Sequence, residues 1–125
     1  MFEVCVENSF SAGHALRGYQ GKCENPHGHN YKVRVTLAGD TLNNIGLLVD
    51  FKELKSVMNQ AIDQLDHQYL NDIEPFREEN PSAENIARHI YRSIKARLIL
   101  ETGGSIQIKK VKVWETASSA ATYFE

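Results

Sequence analysis

The chain lacks the features that would send it out of a cell, into a membrane or onto a nucleic acid. Two cysteines, Cys5 and Cys23, are too few for a disulfide framework. A Cys5–Cys23 bridge is conceivable, but reduced thiols and a cytoplasmic location are the expectation. No apolar run approaches the ~18 residues of a membrane span, and Met1-Phe2-Glu3-Val4-Cys5 lacks the basic-then-apolar layout of a secretory signal. Basic charge is not in excess. Fourteen Lys and Arg against sixteen Asp and Glu leave a net charge of −2, which argues against nucleic acid as the main ligand. Repeats, low-complexity tracts and linkers are missing too, so residues 1–125 read as one domain, and 42% hydrophobic residues suffice for its core.

What is present is concentrated in Cys23-Glu24-Asn25-Pro26-His27-Gly28-His29, a thiol, a carboxylate and two imidazoles directly ahead of an alternating segment. Side chains on a strand repeat every two residues. His27, His29, Tyr31, Val33, Val35 and Leu37 therefore share one face, and the histidines lie in line with the apolar row. The preceding segment behaves alike: Phe2, Val4, Val6, Phe10, Ala12 and His14 share a parity, which ends on a third histidine. If these strands pair antiparallel across the loop from Ala15 to Pro26, His14 meets His27 and His29. Three imidazoles with no fourth protein ligand in evidence form a catalytic-type zinc site, open at one position. The alternative is a set of core histidines hydrogen-bonded to backbone.

Helical spacing follows. Asp50 caps a helix with Phe51, Leu54, Val57, Met58, Ala61, Ile62 and Leu65 on one stripe, which ends near Asp66-His67. Ser82 caps a second, with Ile86, Ala87, Ile90, Tyr91, Ile94 and Leu98 as its stripe, and Thr102-Gly103-Gly104 stops it. His89 falls between Arg88 and Arg92 and reads as solvated. Two strands close the chain, at about residues 105–115 and 120–124. Ile106 and Ile108 share one parity while Val111, Val113 and Glu115 share the other, so a bulge is expected near Lys109-Lys110. The expected fold class is α+β: a four-stranded antiparallel sheet with two helices on one face, in the order β-β-α-α-β-β. Its two open edges invite pairing between subunits.

Further chemical candidates surround the histidines. Cys23 sits four residues before His27, and a nearby divalent cation would lower its pKa, making it a base or nucleophile. Asp66-His67 ends the first helix, as a general acid or relay, or as a routine partner of the helix dipole. Glu115 points at an apolar face and needs a partner, such as a ligand with two adjacent N–H donors. Glu84 reads as a first-turn helix carboxylate. Arg17 and Lys22 in the loop are candidates for gripping phosphate.

Together these residues resemble the 6-pyruvoyl-tetrahydropterin synthase family, including bacterial members that form 6-carboxy-5,6,7,8-tetrahydropterin on the way to queuosine. The resemblance runs through His14, Cys23-x-x-x-His27-Gly28-His29-Asn30-Tyr31, Asp66-His67, Pro81-Ser82-Ala83-Glu84-Asn85 and Trp114-Glu115-Thr116. It implies a tunnelling fold, trimers stacked into a homohexamer, and active sites between subunits. It implies catalytic zinc on His14, His27 and His29, proton transfer by Cys23, Asp66 and His67, and Glu115 as the pterin anchor. The implied substrate is 7,8-dihydroneopterin triphosphate, and the compact length resembles the carboxy-forming members. The alternatives are the pyruvoyl product or a second, hydroxymethyl product for folate. Some members carry a glutamate three residues before the first histidine in place of the cysteine, and here Glu24 stands beside Cys23 as a substrate contact or a solvated residue. A zinc-braced pterin-binding module is the non-enzyme alternative.

Overall fold

The computed structural model describes residues 1–125, with residues 100 and 101 described in their backbone alone. Element order is β1 (Phe2–His14), β2 (His27–Gly39), α1 (Phe51–Ile62), β3 (Gln68–Tyr69), α2 (Ala83–Thr102), β4 (Gln107–Thr116) and β5 (Ser119–Tyr123). The strands form one sheet in the order β3-β1-β2-β4-β5. β1 and β2 pair antiparallel along their whole length, from Phe2 opposite Gly39 to His14 opposite His27. This full register is what the two matched parities require, because a one-residue slip would turn every apolar side chain outward.

The expected four-stranded antiparallel sheet is thus corrected to five strands of mixed direction. Gln68 and Tyr69 add a short parallel strand beside Ala12 and Gly13 of β1. Two residues carry no readable alternation, and their pairing comes from the backbone of the segment after α1. That helix also stops earlier than its apolar spacing suggests, at Ile62, and residues up to 67 continue as turn. Its N-terminus is capped by Asp50, whose carboxylate accepts from Lys52 N at 2.8 Å.

Both helices cover the same face of the sheet. Leu54, Met58 and Ile62 of α1 and Ile86, Ile90 and Ile94 of α2 pack over Tyr31, Val33, Val35 and Leu37 of β2 and Val111 and Val113 of β4. Each such side chain contributes about 1.5–3 kcal/mol on leaving water, so this layer fixes the frame on which the histidines stand. α2 starts at Ser82, whose hydroxyl accepts from Asn85 N at 3.2 Å, and ends at Gly103 with φ of 64°. Glycine supplies that left-handed cap without steric cost.

The bulge expected in β4 is present. Thr36 pairs with Lys110 and Leu37 with Ile108, leaving Lys109 as the extra residue. It brings Ile108, Val111 and Val113 onto the buried face despite their change of parity. No helix among the described residues is long and apolar enough to cross a membrane.

Candidate metal centre

His14 is fully buried at the end of β1, and its Nδ1 lies 2.7 Å from the Pro81 carbonyl just before α2. A carbonyl only accepts, so Nδ1 carries the proton and Nε2 keeps its lone pair. His27 repeats the arrangement, with Nδ1 2.7 Å from the Asn25 carbonyl. The two Nε2 atoms then face each other at 2.9 Å. His29 lies two residues along β2 on the same face, its ring centroid 5.1 Å from that of His14 and 4.9 Å from that of His27.

Glu115 joins them from β4. Its Oε1 stands 3.1 Å from His14 Nε2 and 3.0 Å from His29 Nε2. The second approach is close without being aligned, since His29 Nε2 is buried and makes no hydrogen bond. One donor atom from each of His14, His27, His29 and Glu115 lies within 4.8 Å of the others, the metal-competent cluster found among the described residues. Ligands at ~2.0–2.2 Å around one tetrahedral ion are separated by roughly 3.4 Å, and imidazole and carboxylate suit zinc. The donor set therefore fits a divalent metal. Burial, foremost, lowers the His14 pKa, helped by the charges of His27 and His29 and opposed by the Pro81 carbonyl and Glu115. The neutral imidazole is the form a metal needs.

The loop after His14 is tied down by two asparagines. Asn71 exchanges hydrogen bonds with the backbone of Ala15 at 2.9 Å each way, and Asn80 does the same with Arg17 at 2.9 and 3.0 Å. The Arg17 guanidinium donates to the carbonyls of Phe76, Asn71 and Glu79 at 2.7, 3.3 and 3.3 Å. These donors brace the loop from within. Lys22 remains exposed.

Asp66 and His67 form a second polar unit. Asp66 Oδ1 accepts from Ser11 N at 2.9 Å, and Oδ2 lies 2.9 Å from His67 Nδ1. The Ser11 N–H and then the His67 ring hold the Asp66 carboxyl below its ordinary pKa. His67 takes φ of 58°, uncommon outside glycine, and its N–H donates to Ser11 O at 2.6 Å. Its imidazole is 80% exposed, so Nε2 faces outward. His67 and His29 line one groove of about 440 Å³ with Ser11, Asn30 and Tyr69.

Cys23 and Glu24 share a single 3₁₀ turn, residues 22–24, the thiol half-buried and the carboxylate exposed. The backbone anchors this turn, with Leu16 N donating to Cys23 O at 2.8 Å. Among the described residues no hydrogen bond joins Cys23 or Glu24 to the histidines or to His67. The structure thus gathers the three histidines with Glu115, and Asp66 with His67, and ties Cys23 and Glu24 to neither group by a hydrogen bond. Its further member is Tyr31, whose buried ring packs edge-on against His14 and His29 at 5.8 and 5.5 Å. Its parity with His29 was the available signal. Burial and the Glu115 charge push its phenol pKa up, so it stays protonated. His89 departs from expectation as well. It is half-buried, packed edge-on against Phe76 at 5.4 Å, on the side of α2 that turns inward.

The family model for 6-pyruvoyl tetrahydropterin synthase matches residues 3–125. A 6-carboxy-5,6,7,8-tetrahydropterin synthase of Synechocystis sp. is 37% identical, over 99% of this chain and 94% of its own length. The human 6-pyruvoyl tetrahydrobiopterin synthase is 36% identical, over 97% of this chain and 90% of its own. Among solved structures, the 6-pyruvoyl tetrahydropterin synthase of Caenorhabditis elegans superposes with a TM-score of 0.83 at 31% identity, covering 100% of this chain and 97% of that one.

Proposed function

The chain belongs to the 6-pyruvoyl tetrahydropterin synthase family, and we propose that it converts 7,8-dihydroneopterin triphosphate to 6-carboxy-5,6,7,8-tetrahydropterin, with release of acetaldehyde and triphosphate. The reaction is that of a zinc-dependent lyase. The observation that carries the reading is the convergence of three buried or half-buried imidazoles, two with tautomers set by backbone carbonyls, beside a carboxylate that a pterin edge could engage.

In this reading His14, His27 and His29 hold the metal. Zinc there would polarise the hydroxyls of the substrate side chain and lower their pKa. Glu115 accepts the two adjacent N–H groups of the amino-pyrimidinone edge side by side, which orients the ring. Asp66 keeps His67 Nδ1 protonated and so presents Nε2 to take or return a proton. Cys23 is the second proton carrier at the side-chain carbons. Among the described residues no hydrogen bond joins Cys23 to His67 within one chain, and in this reading the complete set is assembled between subunits. The open edges support this, since β3 covers only Ala12 and Gly13 of β1 and β5 closes the other side unpaired. A homohexamer built by edge pairing, acting in the cytoplasm, follows as part of the same proposal.

A second product is favoured by one feature, the presence of Cys23 and Glu24 in the same turn. An exposed carboxylate there is a second base for the same side chain and would give 6-hydroxymethyl-dihydropterin beside the carboxy product. The test of the main reading is Cys23→Ala, which is expected to retain the metal and lose turnover. Full activity in that variant removes the thiol from the mechanism.

A further inference from the structure

Tyr31 is fully buried, yet its hydroxyl has no hydrogen-bond partner. Among the described residues two buried side-chain polar atoms share that condition, Tyr31 Oη and His29 Nε2. A ring nitrogen reserved for a metal accounts for the second. The first has no such account. Its ring is pinned by Phe10, stacked at 5.0 Å with an interplanar angle of 15°, and by the edges of His14 and His29. The phenol cannot swing to water, and a phenylalanine would fill the same space without a stranded O–H.

The β2–β4 ladder points to Glu115 as the acceptor. The β2–β4 register pairs Val33 with Val113 and ends at Lys32 with Trp114; carried one step further, it would set Tyr31 opposite Glu115. Glu115 Oε1 now rests against His14 Nε2 and His29 Nε2. His14 Nε2 already keeps its lone pair in the tautomer that the Pro81 carbonyl sets, and neither nitrogen has a proton to offer a carboxylate once a metal takes it. Glu115 then needs another donor, and Tyr31 holds the unspent one.

We infer that Tyr31 is the positioning residue for Glu115: with the histidine nitrogens engaged, its O–H donates to the Glu115 carboxylate and holds it toward the ligand. The inference rests on the pterin reading above and adds to it a residue that acts only through Glu115.

The test compares wild type, Tyr31→Phe, Glu115→Ala and the double variant. Three quantities are read: melting temperature without metal, zinc bound per chain, and neopterin affinity of the zinc-loaded protein by ligand fluorescence. Tyr31→Phe is expected to keep its zinc and its metal-free melting temperature, while neopterin Kd rises about tenfold, the scale of one hydrogen bond to a charged group. In the Glu115→Ala background, which has no side-chain acceptor, the same change is expected to add nothing, because partners in one interaction are not additive. An unchanged neopterin Kd in Tyr31→Phe overturns the inference. So does additivity in the double variant, or a metal-free melting temperature lowered by several degrees, which would give the hydroxyl a structural partner. Zinc-loaded wild type that binds no neopterin removes the pterin reading and the inference together. Wild-type binding with an indifferent Tyr31→Phe removes the inference alone.

Discussion

His14 Nε2 and His27 Nε2 face each other at 2.9 Å, although each ring has already given its Nδ1–H to a backbone carbonyl. Two lone pairs so close repel unless a proton or a cation lies between them. The fold has therefore built in a demand for positive charge at this point, from the cross-strand pairing of two thirteen-residue strands.

Zinc is accordingly expected to raise the melting temperature, with a gain near 2.7 kcal/mol when free metal reaches about 100 times its Kd. Thermal scans with and without chelator measure it. The metal-free protein should still melt cooperatively, because the helix–sheet core that touches the cluster at Tyr31 extends well beyond it along β2 and β4. Loss of the folded state on chelation would instead mark the metal as a structural brace. His27→Ala should abolish the zinc-dependent gain.

Ser82 links a helix cap to the metal site, since the preceding Pro81 carbonyl orients His14. Ser82→Ala is expected to cost about 1 kcal/mol in denaturant unfolding, the usual loss for an N-cap. It should also weaken zinc binding, as substitutions behind a metal ligand do, by up to about tenfold. A stability loss with unchanged zinc affinity would mean that Pro81 is held independently of the cap.

The bulge at Lys109 makes two deletions behave oppositely. Without Lys109 the strand reads Ile108 inward, Lys110 outward, Val111 inward, which preserves the pairing on both sides. That variant should fold and bind zinc. Deleting Lys112 instead turns Val113 and Glu115 to the outer face and should prevent a cooperative melt. Matching melts for the two would contradict the register.

These elements also separate what the chain discloses from what it conceals. Strand parity put His14, His27 and His29 on one face, and the parity break in β4 located the bulge, because both are local alternations that the sheet then obeys. β3 had no such signature in two residues. His89 was misread because its neighbours Arg88 and Arg92 are polar, while its burial depends on Phe76 from a distant loop. The hydrogen bonds of Arg17 to the carbonyls of residues 71, 76 and 79 likewise come from across the chain and leave no local pattern. The stranded Tyr31 hydroxyl is visible only once the packing around it is known.

His89 gives the pH dependence. Burial lowers its folded pKa below the ordinary 6.5, against the pull of Glu79. The unfolded chain then binds its proton more readily than the folded one. Stability is complete above pH 6.5 and declines as the pH falls towards the lowered value, with a slope of at most about 1.4 kcal/mol per pH unit from this group. His89→Gln should flatten the fall below pH 6.5 in denaturant titrations, leaving the part due to His14, which shifts the same way. An unchanged slope would mean that His89 is accessible to protons in the folded state.

The central claim is tested most directly by product analysis. Zinc-loaded protein is incubated with 7,8-dihydroneopterin triphosphate and the pterins are resolved by chromatography and mass. The account predicts 6-carboxy-5,6,7,8-tetrahydropterin with equimolar acetaldehyde, and a hydroxymethyl product beside it would give Glu24 a part. Pyruvoyl product alone would contradict the assigned branch, and no turnover by folded, zinc-bound protein would contradict the enzyme itself.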